Sequence, residues 1–339
     1  MDITINKYDH QAGKDYCELT LTNDQGMQVK LLNYGATLEQ VLLPTENGLE
    51  NVILSLPKPA DYAVERNYLG GTVGRIVGRV RRGQWQLGNQ LIQLPVNSGK
   101  NHAHGGTGTD TQVFAFQPQI TERSVKVTMT LVDPNSANGY PGTLKMQVSY
   151  ELDNQNRLSY RIQAVTDQVT VFNPTNHVYF NLDGSETTVA NQHLKIASDY
   201  YLPLDAESLP YRGRAAVAGT VFDFRRGKRL GAVLDGDDPE IVAERGLNHP
   251  FMLSGRQPAV TLTSPQKNRV MRMQTTAPAV VVYTANHFAH TPGVTAKIGQ
   301  YGGVAFEAQV APQESSDLTP LTLMPGEHFD RQTSWQFDF

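Results

Sequence analysis

"LKMQVSYELDNQNRLSYRIQAV", residues 144–165, decides the fold class. Each arm alternates apolar and polar residues with a period of two, and the polar run from Asp153 to Asn156 between them reads as a turn. Leu144, Met146, Val148, Tyr150 and Leu152 share one face of the first arm, and Leu158, Tyr160, Ile162 and Ala164 share one face of the second. Two half-buried strands follow from that pattern. On the N-terminal side, "SVKVTMTL" (124–131) sets Val125, Val127, Met129 and Leu131 against polar partners, and "GQWQLGNQLIQL" (83–94) reads as a hairpin about Gly88-Asn89. Further strands are expected at 27–33, 38–43, 259–263, 269–274, 279–284 and 303–310. Helical patterns are scarce: "PADYAVERNY" (59–68) and "DPEIVAERG" (238–246) each support a short helix at most. With 29 glycines and 19 prolines punctuating many short strands, the chain reads as all-β, a large antiparallel sandwich or barrel, and not as alternating β and α units.

A length of 339 residues allows one large all-β domain or two average ones. No linker, composition break or repeat divides it, so a single domain over 1–339 is expected. Hydrophobic content of 39% with 18% charged residues excludes a disordered chain. The net charge of −4, with signs interspersed, calls for neither nucleic acid nor an anionic membrane as partner. A lone cysteine, Cys17, excludes an internal disulfide framework and an all-cysteine metal site, and reads as a small core residue. "MDITINKYDH" lacks a signal pattern and no apolar run approaches about 18 residues, so a cytoplasmic protein is expected.

Two stretches carry unusual chemistry. In "VFNPTNHVYFNLDG" (171–184), Val178, Phe180 and Leu182 fall on one strand face, leaving His177, Tyr179 and Asn181 on the other. In "YGGVAFEAQVAP" (301–312), Val304, Phe306, Ala308 and Val310 oppose Ala305, Glu307 and Gln309. A carboxylate within so apolar a strand is either paired or functional. Singly, Glu307 also reads as a surface carboxylate and His177 as a satisfied histidine; the two strands of one design shift the balance to acid–base chemistry. Other chemistries find little support. His102 and His104 in "NHAHGG" lack a third zinc ligand at a recognisable spacing. "GGTVGRIVGRV" (70–80) lacks phosphate-loop spacing, and no G-x-S-x-G nucleophile elbow occurs.

Taken in order, "NYGATL" (33–38), "GGTVGRIVGRV" (70–80), "NHAHGG" (101–106), "NGYPG" (138–142), "NPTNHVYFNLDG" (173–184), "YLPLD" (201–205), "FDFR" (222–225), "GLNHPF" (246–251), "YTAN" (283–286) and "GGVAFEAQ" (302–309) resemble the aldose 1-epimerase (galactose mutarotase) family along the whole chain. The resemblance implies a large β-sandwich with an open sugar-binding cleft, no cofactor and no metal. It implies Glu307 as general base and His177 as general acid, with His104 and Arg79 binding the sugar. Tyr179 and Gln309 are further sugar-binding candidates, and Tyr283 a candidate for stacking on a sugar face. Two departures stand out. Asn248 occupies the place of the family's usual Asp in "GLNHP", and Gly78 that of an Asn often found before the arginine. An amide still accepts a hydrogen bond but gives up the charge, so a high KM for free hexoses is expected, lowered by Asn248→Asp.

The expected partner is therefore a free monosaccharide such as galactose or glucose, with room for a homodimer. A hexose-6-phosphate mutarotase would need extra cations, for which Arg75, Arg81 and Arg82 are candidates. A non-catalytic carbohydrate-binding sandwich is opposed by retention of both Glu307 and His177. A glycoside-cleaving enzyme lacks an acidic partner for Glu307. His287 and His290, on a loop after "YTAN", are candidates for the cleft rim, while His102 and His249 read as loop structure and packing.

Overall fold

Residues 144–165 form the hairpin that their alternation dictates. In the computed structural model, which describes residues 1–184, 187–288, 293–295 and 297–339 with the side chain of 294 set aside, Leu144–Asp153 pairs antiparallel with Arg157–Thr166. Tyr150 faces Tyr160 across the ladder, with ring centroids 5.0 Å apart. The turn satisfies its own backbone: the Asp153 carboxylate accepts the N–H groups of Gln155 and Arg157, and Asn156 takes the left-handed conformation that asparagine tolerates.

This hairpin lies within a nine-stranded sheet. Ser124–Asp133 and Ala115–Ile120 extend it on one side; Phe329–Asp338, Arg269–Thr275, Val260–Ser264, His193–Ile196 and Lys228–Arg229 extend it on the other. A six-stranded sheet runs in the order Tyr179–Phe180, Val304–Gln309, Ala279–Tyr283, Asn248–Leu253, Ser198–Tyr201, Ala215–Ala216. The N-terminal segment adds a five-stranded meander from Asp2–Gln11 to Gly48–Asn51. Neighbouring strands in the two larger sheets are antiparallel. One apolar cluster joins all three sheets, with Leu19 and Val41 from the meander, Val148 and Trp335 from the large sheet, and Val280 and Phe306 from the six-stranded one. Phe180 stacks on Phe306 at 6.1 Å and meets Trp335 at 5.9 Å. The result is an all-β sandwich, with Cys17 in its core. Each fully buried large apolar side chain contributes about 1.5–3 kcal/mol. The six-stranded sheet is thus anchored by one face, and its other face is left to carry polar groups.

Three sequence expectations change in detail. Residues 59–68 hold only a 3₁₀ turn, Pro59–Ala63, before the chain leaves helical geometry, whereas Pro239–Glu244 is a true short α-helix. Residues 171–184 are not one strand: Thr170–Val171, Thr175–Asn176 and Tyr179–Phe180 pair with three different partners. The alternation survives in the side chains, yet Val178, Phe180, Leu182, His177, Tyr179 and Asn181 are all buried. Among the described residues no helix is long and apolar enough to cross a membrane.

Candidate active site

Strand register assembles the site. Across the six-stranded sheet, Tyr179 stands opposite Ala305, Ala305 opposite Tyr283, and Tyr283 opposite Asn248. The next row on the same face runs from Glu307 to Val281 to Pro250. Directly opposed residues share a sheet face, so one face gathers Tyr179, Tyr283, Asn248 and Glu307, with Gln309 two residues beyond. These residues, with Arg79, His104 and His177, line a cleft of about 500 Å³, well within the usual range of about 300–1,000 Å³ for a small-molecule site.

On the cleft floor, His177 Nε2 lies 3.3 Å from Glu307 Oε1, with the two residues 3% and 4% exposed. An ionised carboxylate only accepts, so this contact places a proton on Nε2. The other carboxylate oxygen accepts Gln309 Nε2 at 3.2 Å, and Gln309 Oε1 in turn accepts Asn173 Nδ2 at 3.4 Å. Burial pushes the Glu307 carboxyl above its ordinary range, against the opposing pull of His177, Arg79 and the Gln309 amide. The His177 backbone is fixed by bonds to the Gly70 N–H and the Gly71 carbonyl. Its Nδ1 is buried without a protein hydrogen-bond partner.

His104 approaches from the opposite wall, its ring centroid 5.6 Å from that of His177. The two glycines after it have a steric purpose. Gly105 has φ +71, and a Cβ there would sit 1.9 Å from the Gly74 carbonyl oxygen. His104 Nδ1 accepts the Gly78 N–H at 3.4 Å, which leaves Nε2–H as the donor. Burial, reinforced by His177, Arg79 and Arg66, holds the imidazole well below its usual pKa. His104 is accordingly a neutral donor at pH 7. Gly78 itself has φ +76, a conformation open to Gly or Asn but costly for other residues, which accounts for that departure from the family pattern. Arg79 is half-buried in the cleft wall and, among the described residues, has no ion pair or hydrogen bond.

A supporting layer was missed by the sequence reading. The Arg66 guanidinium pairs with both oxygens of Asp110, at 2.7 and 2.6 Å, and donates to the carbonyls of His104 and Gly106. It also lies 4.5 Å over the Tyr68 ring, which is 4.7 Å from that of His104. Tyr68 and His104 both have positive φ, at +62 and +49, a strain of about 1–3 kcal/mol each that the surrounding bonds sustain. Arg66 and Tyr68 precede "GGTVGR" and Asp110 follows "NHAHGG", but no periodicity or spacing couples them.

Other candidates fall outside the cleft. Asn181 Nδ2 donates to the carbonyls of Thr187 and Gly302, a structural role. His102 donates from Nδ1 to the Pro95 carbonyl and accepts the Tyr140 hydroxyl at Nε2, both at 2.6 Å, so it does not join His104 as a ligand. Buried His249 packs 4.6 Å from Phe222. Arg75, 1% exposed, pairs with Asp133; Arg81 pairs with Asp205; neither they nor Arg82 line the cleft. His287 lines the cleft, whereas His290 lies outside the described residues. Asn248 lines the cleft too, and its Nδ2 donates to Glu244 Oε2 at 2.8 Å.

A carboxylate and an imidazole in contact, at the bottom of a polar and aromatic cleft on a β-sandwich, define an acid–base enzyme for a small polyhydroxylated substrate. The chain belongs to the aldose 1-epimerase family, whose sequence model matches residues 18–336. It is 32% identical over 336 residues, 96% of each chain, to the aldose 1-epimerase of Escherichia coli (strain K12), and 32% identical to the galactose mutarotase of Mus musculus over 94% of this chain and 92% of that one. The solved structure of galactose 1-epimerase from Lactobacillus acidophilus NCFM superposes with a TM-score of 0.94 at 52% identity, covering 99% of this chain and 98% of that one. The protein is a carbohydrate isomerase that interconverts the α and β anomers of aldoses.

Proposed function

We propose that Glu307 is the general base and His177 the general acid in the mutarotation of free aldohexoses such as galactose and glucose. The observation that carries this reading is their 3.3 Å contact on the cleft floor. Glu307 takes the proton of the C1 hydroxyl, and the O–H pair becomes the second bond of the aldehyde. The C1–O5 bond breaks towards O5, which takes a proton from His177. Rotation about C1–C2 presents the other carbonyl face, and closure returns both protons by the reverse path. Since O1 and O5 are both bonded to C1, base and acid must reach two oxygens on a single carbon. An adjacent pair suits that task; well-separated groups would not.

Arg79, His104 and Asn248 supply hydrogen-bonding groups around the sugar, and Tyr179 and Tyr283 supply apolar surface. Gln309 acts chiefly by holding Glu307, which refines its expected role in binding. The chain works as one domain, in keeping with a single cluster that runs from Cys17 to Phe337, and a lone buried cysteine suits the reducing cytoplasm. The test is polarimetry on freshly dissolved α-galactose and α-glucose with the wild type and Glu307→Gln. Loss of the base should lower kcat at least about 10²-fold with KM little changed. Retention of more than about a tenth of kcat would remove Glu307 from the role.

A further inference from the structure

Glu244 ends the helix Pro239–Glu244. Asp238 caps the start of that helix through the N–H groups of Glu240 and Ile241, and Arg245 ends it in left-handed geometry. Asn286 then pins the turn by donating to the carbonyls of Glu244 and Leu247, and the chain enters the strand Asn248–Leu253. This reversal folds the Glu244 carboxylate, in a residue only 8% exposed, back against Asn248. The Ser208 hydroxyl reaches both its oxygens, at 2.9 and 3.0 Å, and Asn248 Nδ2 donates to Oε2 at 2.8 Å. Among the described residues no cation pairs with it.

We propose that Glu244 is a specificity-determining positioning residue that acts on the sugar through Asn248. A carboxylate only accepts, so the amide must turn its NH₂ towards Glu244, and its Oδ1 becomes the atom offered to a sugar hydroxyl. The nearby charge also polarises the amide and strengthens Oδ1 as an acceptor. The work that a single Asp does elsewhere in the family is divided here: Glu244 holds the charge and Asn248 makes the contact. Without Glu244 the amide is free to flip and present N–H groups, which suit a hydroxyl's lone pairs instead of its proton. This rests on the proposed contact between Asn248 and the sugar. It also reverses the expectation from sequence that Asp alone at position 248 would lower KM, because Asn248→Asp brings two carboxylates into contact.

The test is steady-state kinetics on galactose, glucose and the galactoses deoxygenated singly at C2, C3, C4 and C6, using Glu244→Gln, Asn248→Asp and the double variant. Glu244→Gln should raise KM about tenfold while kcat falls far less, the scale of losing charge assistance from one hydrogen bond. Asn248→Asp alone should raise KM at least as much. The double variant, which moves the charge one residue towards the sugar, should bring KM back to within about threefold of the wild type. For the deoxy sugar that lacks the contacted hydroxyl, Glu244→Gln should change KM little. A purely structural role for Glu244 would lower the melting temperature and kcat together without rescue by the swap, and that result would overturn the proposal. So would a KM unaffected by Glu244→Gln, or an Asn248→Asp variant that lowers KM unaided. Failure of the acid–base assignment would show separately, as an active Glu307→Gln enzyme.

Discussion

Glu307 works as a base only when ionised, and burial opposes its ionisation. The activity consequence is an acid limb of kcat/KM that lies above the ordinary carboxylate pKa of 4.5. The stability consequence has the opposite sense. Between 4.5 and the raised value the folded state binds more protons than the unfolded state, so stability falls as pH rises through that window. Glu307→Gln lacks this loss, and its melting temperature at pH 7 should exceed that of the wild type, by an amount that vanishes below about pH 4.5. An equal or lower melting temperature at both pH values would mean that the carboxylate is better compensated than its burial indicates. The two imidazoles divide by position. His177, in contact with the base, should when replaced by Asn lower kcat more than it raises KM. His104, a neutral donor in the wall, should when replaced by Asn raise KM as well as lower kcat, and the reverse pattern would exchange their roles.

Alternation along a strand reports one face at a time, and this sets how much of the structure was legible. The strands at 124–131, 144–152 and 157–165 were plain because one face is apolar and the other polar. Glu307 stood out because Val304–Gln309 is buried on both faces and a carboxylate there is conspicuous. The stretch around His177 gave the right side chains but the wrong element, since three short bridges to different partners keep the same alternation. The wall around His104 was illegible for a different reason. Arg66, Tyr68 and Asp110 meet through loops, where no period applies and geometry is fixed by hydrogen bonds to carbonyls. Glu244 was hidden likewise, because only the helix-ending turn brings it to Asn248. Arg66→Ala tests the importance of the loop clamp. It leaves Asp110 buried without its partner, a cost of about 3–5 kcal/mol in denaturant unfolding. It also frees the His104 carbonyl, so kcat should fall although Arg66 need not touch the sugar. Full activity with only the stability loss would show that His104 is held by its glycines alone.

Seen whole, the sandwich separates its cations from its cleft. Arg75 lies inside, bonded to Asp133 and to the carbonyls of Pro141 and Gly142, and Arg81 is engaged with Asp205 and the Glu314 carbonyl. Of the two arginines that line the cleft, Arg66 is committed to Asp110, which leaves Arg79 facing Glu307 and, beyond Asn248, the buried Glu244. Such a site is near balance for a neutral sugar and poor for a dianion, whose phosphate would gain one free cation against two carboxylates. Galactose 6-phosphate and glucose 6-phosphate should therefore be turned over with kcat/KM at least about tenfold below the free sugars, a penalty of about 1.4 kcal/mol. Ionic strength provides the second arm. Between about 0.01 and 1 M salt the screening length shrinks from about 30 to 3 Å. Over that range kcat/KM for galactose should change less than about twofold, since a neutral substrate is not steered by charge. Comparable turnover of the phosphates, with a steep decline in salt, would mean that the cleft recruits cations not in its lining here and would make a phosphosugar the better substrate.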